Sequence, residues 1–456
     1  MSRGTYLAAV ALLAILLPSA PAQKLAGTGA IGNAAQGTAV ALSADGNTAI
    51  VGGPADNGGA GAVWIFTLTN GVWTQQGNKI VGTGAVGNAG QGAAVAISAD
   101  GNTALIGGPG DAGNLGAAWV FTLLSGVWTQ QGAKLVGAGA VPTDGKVSQG
   151  CSVALSADGN TALVGGRKDN STAGGAAWVF TRSNSVWSPQ GAKLVGSGAV
   201  RGNVFYGPTN LGVDQGASVA LSADGNTAVV GGPFDSYVSG GDAYTSGGAV
   251  WVFTRSSGFW SQQGAKLAAG RDLFSYEGAS VAVSSDGNTF TAVGDDPFGS
   301  VWVFTRNNGV WSQQGSNLMV SGAGRGLYVE ASSTALSSDG NTALIGGSGD
   351  NQSVGAAWVF TRSNGVWTQQ GGKLIAAGAI GQSQQGASVS LSADGKTALI
   401  GGPGDNGGAG ATWVLTPAAT VGPPAPTGVS PPAGIHPARR WLSPSPDIRT
   451  SLWRTS

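Results

Sequence analysis

The chain has 456 residues, and 22 lysines and arginines balance 22 aspartates and glutamates, so it has no charge excess for binding nucleic acid or a membrane surface. Glycine is abundant (82 residues), but 42% of the chain is hydrophobic and 15 residues are tryptophan, which excludes collagen and a disordered chain. One cysteine and one histidine, His436 near the end, exclude an internal disulfide and histidine-based metal or catalytic sites in the body of the protein.

The first 22 residues have the pattern of a secretory signal peptide. Arg3 precedes an apolar run over residues 6–17, and residues 20–22, Ala-Pro-Ala, fit a cleavage site. The run is too short for a bilayer, which needs about 20 apolar residues. We therefore expect a secreted mature chain from Gln23, extracellular or periplasmic, with no membrane insertion after cleavage; an uncleaved anchor is the alternative.

Residues 23–416 contain seven copies of one unit. Each copy has the tetrad Ser-x-Asp-Gly, with the aspartates at Asp45, Asp100, Asp158, Asp224, Asp286, Asp339 and Asp394. The second unit, QGAAVAISADGNTALIGGPGDAGNLGAAWVFTLLSGVWTQQGAKLVG, divides into four apolar runs separated by turn residues. Four short antiparallel strands per unit predict a propeller blade. The expected fold is all-β, a seven-bladed β-propeller of four-stranded antiparallel blades.

Tryptophan recurs at two positions of the unit. The third run of every unit contains one, at Trp64, Trp119, Trp178, Trp251, Trp302, Trp358 and Trp413. The fourth run of six units contains another, at Trp73, Trp128, Trp187, Trp260, Trp311 and Trp367. This period favours packing of the blades, with sugar stacking as the alternative.

The two ends of the repeat region complement each other. The seventh unit stops at ATWVLTP without a fourth strand, whereas the mature N-terminus, QKLAGTGAIGNAAQG, aligns with the end of that strand segment. We predict that residues near Lys24 and Leu25 complete the last blade, because this closes the ring and removes an exposed sheet edge.

The units resemble the FG-GAP repeat of integrin-α-type propellers, most closely a bacterial variety, over about residues 24–416. They depart from it at both named motifs. GAP is replaced by Gly-Gly-Pro at residues 52–54 and equivalents, and FG is mostly Gln-Gly, at Gln36-Gly37, Gln91-Gly92, Gln149-Gly150, Gln215-Gly216 and Gln385-Gly386. The resemblance implies a binding or adhesion module.

Integrin-type repeats often hold calcium in a DxDxDG loop of the first hairpin. Here that hairpin reads Ser-Ala-Asp-Gly-Asn-Thr, with one carboxylate, whereas calcium takes about six to eight oxygen ligands. We expect turn formation, no metal and no cofactor, with calcium as the alternative. A second periodic aspartate is expected to brace a loop, at Asp56, Asp111, Asp169, Asp235, Asp350 and Asp405.

Units four to six differ from the others by longer links and loops, which contain all five tyrosines of the mature chain. The link between blades and the loop between the second and third strands are expected on one face, so these segments should form one rim. Aromatic and carboxylate side chains on loops are typical of surfaces that recognise protein or carbohydrate; packing of the loops on themselves is the alternative. The candidate ligand-binding residues are Tyr206, Phe234, Asp235, Tyr237, Tyr244, Phe274, Tyr276, Asp295, Asp296 and Tyr328.

Residues 417–456 differ in composition, with nine of the 19 prolines. PPAPTGVSPPAG resembles the opening strand of a bacterial immunoglobulin-like or IPT/TIG-type domain, but the sequence after it lacks strand alternation. We interpret this tail as a truncated or frame-shifted domain.

Three functions compete. The favoured one is a secreted or cell-surface module, without catalysis, that binds an extracellular protein or carbohydrate through loops of blades 4–6. The second is a purely structural repeat domain of a larger surface protein. The third, least favoured, is a glycan-active enzyme with paired carboxylates; Asp295 and Asp296 are adjacent and would point oppositely in a strand, so we expect no enzyme.

Overall fold

A computed structural model gives the fold and describes residues 22–170, 174–201, 212–239, 242–244, 247–269, 275–294, 300–323 and 331–416. The signal-peptide segment up to residue 21 and the tail from residue 417 lie outside these ranges, so their interpretation stays a prediction. Within the described ranges, every helix is too short to cross a membrane.

The first part of the described chain forms one edge strand and three blades. The edge strand is β1 (Gln23–Leu25). Blade 1 contains β2 (Ala39–Leu42), β3 (Thr48–Gly53), β4 (Ala62–Thr69) and β5 (Val72–Gln75). Blade 2 contains β6 (Ala94–Ile97), β7 (Thr103–Gly108), β8 (Ala117–Leu124) and β9 (Val127–Gln130). Blade 3 contains β10 (Gln149–Leu155), β11 (Thr161–Gly166), β12 (Ala176–Ser183) and β13 (Val186–Pro189).

Blade 4 contains β14 (Ser218–Leu221), β15 (Thr227–Gly232), β18 (Ala249–Ser256) and β19 (Phe259–Gln262), with the hairpin β16 (Tyr237–Ser239) and β17 (Asp242–Tyr244) inserted between its second and third strands. Blade 5 contains β20 (Ser280–Val283), β21 (Thr289–Val293), β22 (Val301–Asn307) and β23 (Val310–Gln313). Blade 6 contains β24 (Ala331–Leu336), β25 (Thr342–Gly347), β26 (Ala356–Ser363) and β27 (Val366–Leu374). Blade 7 contains β28 (Ser388–Leu391), β29 (Ala398–Gly402) and β30 (Ala411–Leu415).

The predicted seven-bladed propeller is confirmed. In each blade the strands are antiparallel and ordered from the inside outwards, and the first strands of neighbouring blades contact one another around a central channel. In four blades the loop between the second and third strands forms a compact four-residue turn with two left-handed residues at its centre: α1 (Asp56–Gly59), α2 (Asp111–Asn114), α3 (Asp350–Ser353) and α4 (Asp405–Gly408). The sequence predicted only Gly-rich loops here. These turns do not have the periodicity of a helix in the sequence, because their central residues, such as Asn57 (φ 51°), have left-handed backbones.

The ring closes as predicted. Strand β1 is antiparallel to β30, with Lys24 opposite Trp413 and Leu25 opposite Thr412, and it supplies the fourth strand of blade 7. The Lys24 ammonium lies 2.6 Å from a carboxylate oxygen of Asp405. The two ends of the repeat region therefore share one blade.

The tryptophans pack between blades, but their two positions differ. The seven in the third strands are at most 5% exposed. The indole N–H groups of Trp64 and five others donate to backbone carbonyls, as Trp64 does to Thr28 at 2.8 Å. Most of those in the fourth strands are only half-buried, because that strand is the outer edge of the blade. In this outer position, Trp187 donates to Gln131 of the preceding blade at 2.8 Å, and the Arg182 guanidinium lies over its ring.

Close backbone contact explains the Gly-Gly-Pro motif. A Cβ atom on Gly52 would lie 2.0 Å from the carbonyl oxygen of Gly92 in the next blade, so alanine does not fit. The first hairpin turns also join in a closed ring of backbone hydrogen bonds, in which Ala44 donates to Ala99 at 3.0 Å and, after one circuit, Ala393 donates to Ala44 at 2.9 Å. The donors between these two are Ala99, Ala157, Ala223, Ser285 and Ser338.

Candidate functional site

The link between blades and the loop between the second and third strands lie on one face, as the sequence predicted. In blade 2, the backbone N–H of Val86 in the preceding link donates to the Asp111 carboxylate in the loop at 2.7 Å. The hairpin turns with Ser-x-Asp-Gly lie at the other ends of the strands. We call these the loop face and the turn face.

The second set of periodic aspartates braces the loop face. Each of these aspartate side chains is at most 2% exposed and forms an ion pair with a lysine. The pairs are Asp56–Lys79, Asp111–Lys134, Asp169–Lys193, Asp235–Lys266, Asp350–Lys373 and Asp405–Lys24. The loop-bracing role predicted for these residues is confirmed.

The Ser-x-Asp-Gly aspartates bond locally at the turn face. Asp100 accepts hydrogen bonds from the Ser98 hydroxyl and from the backbone and side chain of Asn102. Partial burial works to raise the pKa of Asp100, but these hydrogen bonds outweigh it and hold the pKa below its ordinary value. The described part of the chain contains no group of three or more side chains suited to a metal ion.

Two predicted aromatic residues meet on the loop face. The rings of Phe234, in the loop of blade 4, and Tyr276, in the link to blade 5, lie edge to face with centroids 5.6 Å apart and an interplanar angle of 79°. Both side chains are half-buried. Tyr276 has a left-handed backbone (φ 50°), which is strained for a bulky residue. The contact joins two segments that are 42 residues apart in the chain.

Asp235 lies directly beside Phe234 but points inwards. It is 1% exposed, forms a short ion pair with Lys266, and accepts the Val200 N–H at 2.8 Å. Burial raises the pKa of the Asp235 carboxyl, although the Lys266 ammonium and the Val200 N–H act against that shift. Its carboxylate therefore supports the loop from below.

The β16–β17 hairpin follows these residues and places Tyr237 directly opposite Tyr244 in the register. Among the described ranges, blade 4 is the blade that has such an insertion. The remaining candidates, Tyr206, Phe274, Asp295, Asp296 and Tyr328, lie outside the described residues. We use the name aromatic rim for Phe234, Tyr237, Tyr244 and Tyr276.

The structure adds a groove that the sequence analysis missed. A cavity of about 330 Å³ between blades 3 and 4 is lined by Phe259, Trp260, Gln190 and Lys193 among others. Phe259 is 80% exposed and starts the fourth strand, where the other five such strands start with valine. This departure from the repeat was visible in the sequence and could have identified the groove.

The central channel is apolar in its side chains. The innermost strands surround a cavity of about 250 Å³ lined by Ala, Val, Leu and Ile, with Thr334 and Ser390 as the polar side chains among the described residues.

Comparison with solved structures shows the fold. The chain is similar to a protein from Bacteroides uniformis, provisionally named a 6-phosphogluconolactonase, with 14% identity, a TM-score of 0.51, and coverage of 74% of this chain and 85% of that one. A protein of the same provisional name from Bacteroides fragilis gives 15% identity, a TM-score of 0.50, and coverage of 74% and 84%. No family model and no curated protein matches the sequence.

The likeness corrects one expectation. An enzyme was not expected, because the body of the chain contains no histidine and the sequence shows no suitable pair of acids. The propeller fold is shared with structures that are named as lactonases, so the expectation of no enzyme is wrong as an exclusion. Loops from different blades meet on one face, and groups that are distant in the sequence can combine there.

Proposed function

We propose that the propeller is a secreted ligand-binding module that recognises an extracellular protein or carbohydrate through the aromatic rim. The edge-to-face contact of Phe234 and Tyr276 carries this proposal. It joins the loop of blade 4 to the link into blade 5, next to a hairpin that the other described blades lack.

The chemistry of the rim supports recognition rather than ordinary loop packing. In blades 1 and 2, the residues equivalent to Phe234 are Ala55 and Gly110, and α1 and α2 hold these loops without aromatic side chains. The blade therefore does not need Phe234 to form. Tyrosine and phenylalanine supply a large contact area at low entropic cost, and tyrosine adds a hydroxyl for hydrogen bonds.

The repeat pattern supports a binding role of the same kind. The units resemble FG-GAP repeats of integrin-α-type propellers, and we propose that this resemblance extends to adhesion at a cell surface. The buried Asp–Lys pairs make each loop a stable base on which a ligand-binding segment can vary.

The first experiment is a glycan array together with a pull-down from culture supernatant, using the mature chain. The test variant is Phe234→Ala with Tyr276→Gly, because Ala55 and Gly90 occupy these positions in blade 1 and in the link to blade 2. Glycine also relieves the left-handed strain of Tyr276. Loss of the captured ligand with an unchanged melting temperature supports the proposal, and full retention contradicts it.

A second candidate function is hydrolysis of a sugar lactone, and the likeness to the two Bacteroides proteins favours it. The test adds 6-phosphogluconolactone to the purified chain and follows its loss against spontaneous hydrolysis. Acceleration that heat denaturation of the protein abolishes would make this function the better account. A rate equal to the spontaneous one leaves ligand binding as the proposal.

A further inference from the structure

A second unit-specific site lies on the turn face, away from the aromatic rim. A cleft of about 410 Å³ separates blades 2 and 3. One wall carries Leu123 and Leu124 of blade 2, and the other carries Arg182, Asn184 and Ser185 of blade 3. The blade 2 side therefore presents two leucines beside the polar residues Asn102, Thr103, Thr122 and Gln131, and the blade 3 side presents hydrogen-bonding groups.

Two residues of this cleft depart from the repeat. Leu124 is 64% exposed, whereas the equivalent position holds Thr69 in blade 1 and Ser256 in blade 4. Ser185 has a left-handed backbone (φ 64°) at a turn position that is glycine in the other five hairpins of this type, as at Gly258. Both departures work against stability or solubility, because one exposes an apolar side chain and the other strains the turn. Their meeting in one cleft indicates a function.

The blade 3 side of the cleft has hydrogen-bond donors that a ligand can use. The Arg182 guanidinium donates hydrogen bonds from Nε to Asn160 Oδ1 and from Nη1 to Thr103 Oγ1 and Gln131 Oε1. Its Nη2 donates to no described residue, so two of the five guanidinium N–H groups are available to a ligand oxygen. The Asn184 and Ser185 side chains lie exposed beside it.

The charge of the cleft selects a neutral ligand. The carboxylates of Asp158 and Asp100 both act on the Arg182 guanidinium, so two negative charges surround one positive charge. A phosphate or carboxylate would meet these two acids as well as the one cation. Hydroxyl groups instead accept from the guanidinium and exchange hydrogen bonds with the Asn184 amide and the Ser185 hydroxyl, while Leu123 and Leu124 cover C–H groups. We propose that this cleft binds a neutral saccharide, with a sugar ring held between Leu124 and the Arg182 side.

Restoring the repeat at the two departing positions tests the site without removing structural contacts. The variant Leu124→Ser with Ser185→Gly gives the cleft the residues of blade 4, Ser256 and Gly258. The probes are methyl glycosides of glucose, galactose, mannose and N-acetylglucosamine, with glucuronate and inorganic phosphate as anions. Saturation-transfer NMR on the mature chain measures binding of each probe.

We expect at least one neutral glycoside to bind the wild-type chain and to bind at least about tenfold more weakly to the variant. The variant should melt at the same or a higher temperature, because glycine removes the left-handed serine. The rim variant Phe234→Ala/Tyr276→Gly should retain the signal, which separates this site from the rim.

Three results would overturn the proposal. No neutral glycoside binds the wild-type chain, or an anion binds in preference to all of them, or the signal survives in the Leu124→Ser/Ser185→Gly variant. Loss of the signal in the rim variant alone would assign saccharide binding to the rim instead.

Discussion

Leu25→Ala weakens the strand that closes the ring. Leu25 is 3% exposed and packs in one cluster with Leu399 and Val414 of blade 7 and Trp73 of blade 1. Its removal therefore leaves a cavity at the interface of the first and last blades. Replacing residues 23–25 by Gly-Ser-Gly goes further, because it also takes the Lys24 ammonium away from Asp405, whose side chain is 2% exposed.

The expected losses follow from these contacts. A buried leucine truncated to alanine costs about 2–5 kcal/mol, and we take about 3 kcal/mol for Leu25. Leaving a buried carboxylate without its cation adds about 3–5 kcal/mol. The entropy of unfolding is roughly 0.8 kcal/mol per degree for a propeller of this length, so the melting temperature should fall by about 4 °C for Leu25→Ala and by about 8–10 °C for the Gly-Ser-Gly variant.

Scanning calorimetry measures these shifts, and light scattering after size exclusion measures association. Ile80→Ala is the matched control, since Ile80 pairs with Val63 in blade 1 as Leu25 pairs with Thr412 in blade 7. It should lower the melting temperature by a similar amount and stay monomeric, whereas the Gly-Ser-Gly variant should also associate through the exposed edge of β30. An unchanged melting temperature and a single monodisperse species for the Gly-Ser-Gly variant would refute closure by β1.

Three further outcomes are expected. Thr412→Val should raise stability by about 1 kcal/mol in urea titration, because the buried Thr412 hydroxyl has no hydrogen-bond partner among the described residues; a loss of stability would count against this. The seven Ser-x-Asp-Gly carboxylates have lowered pKa values, so their stabilisation is complete above the ordinary value of 3.8 and is lost as the pH falls. The melting temperature should therefore drop between pH 5 and pH 2 (about the range in which aspartate titrates), and Asp100→Asn should reduce the drop, whereas a flat profile would contradict it. Millimolar calcium should leave the melting temperature within about 1 °C, and a larger shift that EDTA reverses would show a metal site.

Repetition made most of the fold predictable. Seven Ser-x-Asp-Gly tetrads set the number of blades, and the likeness of the N-terminus to the missing fourth strand predicted the partnership of Lys24 and Leu25 with blade 7. The periodic Asp56 set was expected to brace loops, and the structure supplies its lysine partners. These features follow from patterns within single units.

Features that depend on neighbouring blades were harder to predict. Leu124 and Ser185 belong to different units and meet only because blades 2 and 3 pack side by side. The contact of Phe234 with Tyr276 likewise depends on the packing of blades 4 and 5. The half-burial of the outer tryptophans was also missed, since the sequence does not distinguish an outer edge strand from an inner one.

The most direct test of the binding proposal is the dissociation constant of the mature chain for the ligand captured on the array or in the pull-down. Tyr237→Ala with Tyr244→Ala should weaken binding by about thirtyfold or more, with the fold intact by circular dichroism. The matched control shortens the loop over residues 110–115, which contains α2, and should leave the dissociation constant unchanged. If the α2 variant loses affinity and the tyrosine pair does not, the ligand binds elsewhere and the aromatic rim is not the recognition surface.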